Sequence, residues 1–146
     1  MRGTGLPERN TRFLIDTNVF IAAVKKGWTR TTDLLLYLLT SDCELVGNDV
    51  LLAEYERYAE TFNAMDFFEF LRKRIKIANP SREEVLKCLK YFPPSQVADA
   101  VHAATCLKTG AIIITNDKHF EKIAKEGLIE VWEIKRAIKS LLKKNI

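Results

Sequence analysis

Apolar and polar positions along the chain change in short blocks that favour strands and helices in turn. The first block, Phe13 to Ile15, is a continuous apolar run typical of a strand that is covered on both faces. Four further strands are predicted at 43–47, 75–78, 111–115 and 128–132. Helical spacing, capping residues and Gly or Pro stops predict helices at 17–26, 31–40, 49–60, 62–74, 81–91, 95–109, 117–125 and 133–143.

This alternation determines the expected fold class. Helices between short strands favour an α/β domain with three layers, α/β/α, built around a mostly parallel five-stranded sheet. The 146 residues are 47% hydrophobic, enough for one core, so we expect a single domain over residues 12–146. Residues 1–11 mix Gly, Pro, Arg and Asn, which predicts a loose N-terminal leader.

Composition excludes several classes of protein. The longest uncharged runs, 34–41 and 100–107, are much shorter than a bilayer span, and no apolar signal segment opens the chain. We therefore expect a soluble, cytoplasmic protein with no membrane partner. Cys43, Cys88 and Cys106 are odd in number and lie in apolar surroundings, which favours reduced buried thiols. A net charge of +4 permits nucleic-acid binding without establishing it.

Two acidic residues stand at the ends of predicted strands. Asp16 follows the first strand, and Asp117 follows the fourth strand after two polar residues. In doubly wound parallel sheets the ligand crevice lies beyond the carboxyl ends of the strands, where the winding reverses. We therefore expect both side chains in that crevice. Helix capping is the alternative role for each of them.

Two further acids lie on predicted helices. Asp99 belongs to a small, apolar helical stretch, Val97 to Leu107, in which no other residue carries a formal charge, so a partner outside the helix must neutralise it. Helical angles place Glu54 at the edge of an apolar face that contains Tyr55 and Tyr58. The alternatives are a first-turn acid that interacts with the helix N-terminus for Asp99, and an ordinary surface residue for Glu54.

If the four acids converge, either protons or a cation must relieve the repulsion between their charges. Two carboxylates ~4 Å apart repel each other by about 4 kcal/mol at an effective dielectric constant near 20. The candidate ligands are oxygen atoms, and no Cys-His set with zinc spacing is found, so Mg²⁺ or Mn²⁺ is the expected ion. Such an ion activates water for phosphodiester hydrolysis. The neutral neighbours of this cluster are expected to be Thr17, Asn18, Thr115 and Asn116.

Four motifs in this order resemble the PIN domain nucleases, which include the toxin ribonucleases of VapC-type toxin-antitoxin pairs. They are Leu-Ile-Asp-Thr-Asn at 14–18, Leu-Ala-Glu-Tyr at 52–55, Asp-Ala-Val-His-Ala-Ala-Thr at 99–105 and Ile-Ile-Thr-Asn-Asp-Lys-His-Phe at 113–120. The resemblance covers residues 12–132. It implies a PIN-like parallel sheet, an acidic Mg²⁺ or Mn²⁺ pocket and a metal-dependent endoribonuclease. It also implies a homodimer formed through the third and fourth helices, and a protein antitoxin where the chain is a toxin.

The same resemblance assigns roles to individual residues. It implies that the four acids are metal ligands or water activators and that Thr17 and Thr115 are their hydroxyl neighbours, while Asn18 and Asn116 match more loosely. The acids concerned are Asp16, Glu54, Asp99 and Asp117.

RNA contacts are expected outside the acidic cluster. The basic loop around Trp28 offers Lys25, Lys26 and Arg30, and Trp28 either stacks on a base or packs under the leucine-rich helix that follows. His102 and His119 either contact phosphate and assist proton transfer or are structural.

Two questions stay open from the sequence. The apolar positions Phe62, Met65 and Phe68 form either a partner surface or part of the core. For function, the competitors of a ribonuclease are a catalytically silent RNA-binding or scaffold module with the same fold and an aspartyl phosphatase. The phosphatase is disfavoured because its pattern needs a second aspartate where Asn18 stands.

Overall fold

All five strands of the protein are parallel and form one sheet. The structure is a computed structural model that describes residues 11–142. The strands are β1 Arg12–Ile15, β2 Glu44–Gly47, β3 Ile75–Ile77, β4 Ile112–Ile114 and β5 Glu130–Trp132. Their order in the sheet is β3-β2-β1-β4-β5, and every neighbouring pair is parallel. The predicted α/β/α fold is confirmed, and the sheet is wholly parallel.

Helices connect the strands and cover both faces of the sheet. They are α1 Thr17–Val24, α2 Arg30–Thr40, α3 Asp49–Thr61, α4 Met65–Arg74, α5 Arg82–Leu89, α6 Val97–Thr109, α7 Glu121–Lys125 and α8 Ile134–Ala137. A 3₁₀ turn, Lys118–Phe120, precedes α7, and a π-helical segment, Ile138–Leu142, follows α8. None of the helices described is long and apolar enough to cross a membrane.

Some boundaries differ from the predicted ones for local reasons. The helix predicted at 62–74 begins only at Met65, because Asn63 adopts a left-handed φ of 56° and makes a turn after α3. The helix predicted from Asp117 opens as a 3₁₀ turn with Asp117 as its cap. Most of the predicted leader, residues 1–10, and the last predicted helical residue, Lys143, lie outside the described residues.

The centre of the sheet brings β1 and β4 side by side. Phe13, Leu14 and Ile15 are fully buried, as expected for a strand covered on both faces. The chain builds β2 and β3 on one side of β1 and places β4 and β5 on the other. The winding therefore reverses between β1 and β4, which opens a crevice at their carboxyl ends. Since Ile15 pairs with Ile114, the residues that follow the two strands meet at this crevice.

The three cysteines are structural filler in this fold. Cys43, Cys88 and Cys106 are buried and free. Burial raises the pKa of the Cys88 thiol to about 11, so it stays protonated and unreactive at neutral pH. The expectation of reduced buried thiols is therefore consistent with their placement.

Candidate metal centre

The four predicted acids line one cleft at the carboxyl edge of the sheet. Its volume is about 220 Å³, and Arg57 and Tyr58 of α3 also line it. Within residues 11–142, none of the four acids forms an ion pair with a lysine or an arginine. The acids that converge there are Asp16, Glu54, Asp99 and Asp117.

Asp16 is the most deeply placed of these carboxylates. Its side chain caps α1, because Oδ1 accepts a hydrogen bond from the Thr17 backbone N–H at 2.9 Å. Oδ2 accepts from Thr115 Oγ1 at 2.7 Å and from Asn18 Nδ2 at 2.9 Å. Asp16 is only 3% exposed, and this burial raises its pKa despite the hydrogen bonds. Capping and membership of the cluster therefore coexist in one residue.

The neutral neighbours hold the acids in place. Thr115 Oγ1 accepts hydrogen bonds from Asn18 Nδ2 and from the Asp117 backbone N–H, each at 3.0 Å. Asn18 Oδ1 accepts from the Asn116 N–H at 3.2 Å, and Asn116 Oδ1 accepts from the Ile134 N–H at 2.9 Å. These bonds connect the ends of β1 and β4 to the start of α8, so the edge is rigidly cross-linked.

Asp99, Asp117 and His119 form the densest group of ligand atoms. One such atom from each residue lies within 4.8 Å of the others. His119 Nδ1 is 3.1 Å from Asp117 Oδ1 and 3.7 Å from Asp99 Oδ2. Burial first, and then the charges of Asp16 and Asp117, raise the pKa of Asp99 to about 7. Among the described residues, the buried Asp99 Oδ2 accepts no hydrogen bond.

Glu54 differs from Asp99 in its electrostatic environment. Its Oε1 atom accepts hydrogen bonds from Thr17 Oγ1 and, at 3.0 Å, from His102 Nε2. Burial alone raises the pKa of Glu54, but these hydrogen bonds outweigh it and leave the pKa below its ordinary value. Glu54 therefore stays ionised at neutral pH, whereas Asp99, in the same cleft, is only partly ionised near pH 7.

One of the predicted RNA contacts is contradicted by the structure. His102 is 1% exposed, and each of its ring nitrogens lies within hydrogen-bond distance of a side chain, Asn48 on one side and Glu54 on the other. RNA cannot reach an imidazole that is covered in this way. His119, by contrast, is exposed at the rim of the cleft.

The basic loop after α1 presents its side chains to solvent. Trp28 is 68% exposed, and its Nε1 donates to Asp33 at 2.7 Å, so packing under α2, one of its two alternative roles, is contradicted. Lys25, Lys26 and Arg30 are exposed as well. The loop begins at the far end of an eight-residue helix, about 12 Å long at 1.5 Å per residue, so the loop stands apart from the cleft.

The apolar face of α4 is divided between core and surface. Phe68 is buried, and Phe62 stacks on Tyr58 with ring centroids 6.3 Å apart. Phe70, which the sequence did not single out, is 67% exposed. Of the three residues in question, Phe68 is buried and Met65 packs against the core, while Phe62 is half-buried at the end of α3, so the structure favours core packing for them.

The sequence motifs did not identify three residues that contribute to the site. Arg57 lies three residues after Glu54, a spacing that places both on one side of α3 and could have identified it. Tyr55 donates its hydroxyl proton to the Ile15 carbonyl and so ties α3 to the end of β1. Asn48 caps α3, and nothing local in the sequence signals its contact with His102.

The fold and this site define an α/β protein with an acidic crevice, suited to a cation, at the switch point of a parallel sheet. A family model narrows that class, because the PIN domain matches residues 13–126. The chain belongs to the PIN domain family, whose members are generally nucleases. The resemblance that the four sequence motifs carry is thereby confirmed.

Solved structures share this fold at low sequence identity. VapBC-1 from nontypeable Haemophilus influenzae is 18% identical with a TM-score of 0.61, over 86% of this chain and 99% of that chain. VapBC2 from Rickettsia felis, bound to a promoter DNA fragment, is 16% identical with a TM-score of 0.61, over 84% and 98%. FitAcB from Neisseria gonorrhoeae is 18% identical with a TM-score of 0.61, over 84% and 97%. No curated protein matches the chain in sequence.

Proposed function

We propose that the protein is an endoribonuclease that hydrolyses RNA phosphodiester bonds with Mg²⁺ or Mn²⁺ at the acidic cleft. The observation that carries this proposal is the convergence of four carboxylates, none of which forms an ion pair with a lysine or an arginine within the described residues. Carboxylates a few ångströms apart require protons or a cation to relieve their repulsion. A family of nucleases supplies the chemical context.

The residues present fit a divalent metal ion. Asp99 Oδ2 is a buried oxygen without a hydrogen bond among the described residues, which is a vacant position for a hard cation. The proposed ligands are oxygens of Asp16, Glu54, Asp99 and Asp117. When bound, such an ion supplies an activated water and neutralises the charge that builds on the phosphodiester.

The chain's own residues orient the acids and receive the substrate. Thr17 and Thr115 donate hydrogen bonds to Glu54 and Asp16, which limits rotation of both carboxylates. Arg57 lines the cleft, and we assign its guanidinium to a phosphate of the substrate. We assign further RNA contacts to exposed side chains around the cleft and on the loop after α1, namely Lys25, Lys26, Arg30 and His119.

We further propose that the protein is the toxin of a cytoplasmic toxin-antitoxin pair and binds a protein antitoxin. Support comes from the solved structures that share its fold, which are VapBC and FitAcB assemblies. A homodimer formed through α3 and α4 is proposed as well, because Phe70 on α4 exposes a large apolar side chain. Growth arrest on expression in a bacterial host, lost in Asp99→Asn, tests the toxin role.

A cleavage assay separates this function from its competitors. Labelled single-stranded RNA is incubated with purified protein and Mn²⁺, Mg²⁺ or EDTA, with Asp99→Asn as the inactive variant. Metal-dependent cleavage that the variant lacks supports the proposal. RNA binding without cleavage in either metal identifies a silent RNA-binding module instead. The aspartyl phosphatase is disfavoured, because Asp16 is buried and already accepts three hydrogen bonds.

A further inference from the structure

A buried polar chain lies behind Glu54 and leads away from the cleft. Its members are Asn48, which caps α3, and His102 and Thr105 on α6, and all three are buried. Asn48 Oδ1 accepts a hydrogen bond from the Leu51 N–H at 2.7 Å. This cap fixes the orientation of the amide, so its Nδ2 atom must point toward α6.

The orientation of Asn48 assigns the proton on His102. Asn48 Nδ2 donates to Thr105 Oγ1 at 2.9 Å and lies 3.1 Å from His102 Nδ1. Thr105 Oγ1 uses its own proton for the Val101 carbonyl at 3.1 Å, so it accepts from Asn48. Because Asn48 Nδ2 is a donor only, His102 Nδ1 is the acceptor, and the ring proton resides on Nε2.

This proton is directed at one oxygen of Glu54. His102 Nε2 lies 3.0 Å from Glu54 Oε1, and Thr17 Oγ1 donates to the same oxygen. Among residues 11–142, no hydrogen bond is made to Glu54 Oε2. Two donors thus hold Oε1 of Glu54, and Oε2 remains available to a ligand in the cleft.

We propose that Asn48 and His102 are positioning residues for Glu54, holding Oε1 so that Oε2 is presented to the divalent metal. The inference rests on the proposed function, since it concerns the same metal site. Hydrogen bonds to the far side of a metal ligand fix its orientation, and loss of such a bond typically weakens metal affinity by about 10–100-fold. His102 therefore acts through Glu54 and touches neither metal nor RNA.

Ring nitrogen NMR tests the assigned tautomer directly. The chain contains only two histidines, so ¹⁵N-histidine labelling gives two ring systems, and the His102→Met variant identifies the signals of His102. In metal-free protein at about pH 8, we expect His102 to carry its proton on Nε2. A proton on Nδ1 instead would overturn the proposal, because Asn48 would then not direct the ring.

Metal affinity tests the consequence without any substrate. Titration calorimetry with Mn²⁺ compares wild type with His102→Met, which keeps the side-chain volume but removes the donor. We expect the Kd for Mn²⁺ to rise at least about tenfold. His102→Gln restores an N–H at a similar reach, and we expect it to recover most of the affinity. An unchanged Kd in His102→Met would overturn the proposal.

A neighbouring variant separates positioning from general loss of packing. Thr105→Val removes a buried hydroxyl from the same chain but leaves His102 and Glu54 in contact. We expect it to lower the free energy of unfolding while the Kd for Mn²⁺ changes less than threefold, well below the loss that removal of a positioning bond causes. Equal losses of Mn²⁺ affinity in Thr105→Val and His102→Met would assign His102 a structural role only.

The outcomes for this inference differ from those for the proposed function. Suppose that wild type binds Mn²⁺ but cleaves no RNA, and that His102→Met binds Mn²⁺ more weakly. The ribonuclease assignment then fails, whereas the positioning role of Asn48 and His102 is supported. If instead wild type cleaves RNA with Mn²⁺ and His102→Met binds the ion as tightly as wild type, the positioning role fails and the ribonuclease assignment is supported.

Discussion

Asp99→Asn should make the metal-free protein more stable even though it removes a proposed metal ligand. The pKa of Asp99 is raised from its ordinary value of 3.8 to about 7, chiefly by burial. That rise corresponds to roughly 4 kcal/mol of destabilisation of the ionised form. Only 13% of the side chain is exposed, so solvent screening relieves little of this cost. An amide cannot ionise, and the variant avoids the cost.

The effect has a defined dependence on pH. Between pH 3.8 and about 7 the folded protein keeps a proton on Asp99 that the unfolded chain has lost, so the stability of wild type falls as the pH rises. Above about pH 7 both states are ionised and the difference becomes constant. We therefore expect the variant to be more stable by about 4 kcal/mol above pH 7 and by less than half of that near pH 5.

Urea unfolding in EDTA, followed by circular dichroism at both pH values, measures this difference. Glu56→Gln is the control, because it also replaces an acid by its amide, but at an exposed position on α3, another helix that lines the cleft. It should change stability by no more than about 0.5 kcal/mol at either pH. In saturating Mn²⁺, wild type should become more stable than Asp99→Asn, since the ion stabilises wild type more than the variant. Equal stability of wild type and Asp99→Asn at high pH would refute the reasoning.

Three further variants probe other parts of the site. Tyr55→Phe removes the hydroxyl that donates to the Ile15 carbonyl. It should lower the free energy of unfolding, measured in urea titrations, by about 1–3 kcal/mol. The control Tyr58→Phe should leave the free energy of unfolding unchanged. Arg57→Gln should weaken RNA binding about tenfold in a filter-binding assay with Ca²⁺, and it should not weaken Mn²⁺ binding. An RNA affinity equal to that of wild type would contradict the assigned role of Arg57. His119→Leu removes an exposed imidazole at the rim of the cleft and should weaken RNA binding in the same filter assay, while Mn²⁺ binding to the four acids is retained. Unchanged RNA affinity would contradict its assignment as an RNA contact.

The strands and the four acids were accessible from sequence because their signals are local. A buried parallel strand is a short apolar run, and an acid at its end, such as Asp16, falls at the crevice whenever the winding reverses there. Asp99 was informative because the stretch Val97 to Leu107 around it has no other formal charge. Each of these inferences needs only the residues within a few positions of the acid.

The remaining features depend on contacts between distant segments. Asn48 and His102 are 54 positions apart, so their hydrogen bond has no local signature, and the sequence could not decide between an RNA contact and a structural role for His102. It could not decide between stacking and packing for Trp28 either, whose indole N–H bonds to Asp33 at the surface. The late start of α4 depends on the left-handed turn at Asn63, which helical spacing does not reveal.

The bond from Thr115 Oγ1 to Asp16 Oδ2 joins residues 99 positions apart and bears on synthesis of the protein. Because β4 must enter the sheet beside β1 before this bond forms, a chain still being translated lacks the last acid until Asp117 has left the ribosomal tunnel. The proposed nuclease activity therefore arises only after translation has passed Asp117. A fragment ending at residue 110 should bind no Mn²⁺ in calorimetry, and binding by that fragment would contradict this consequence.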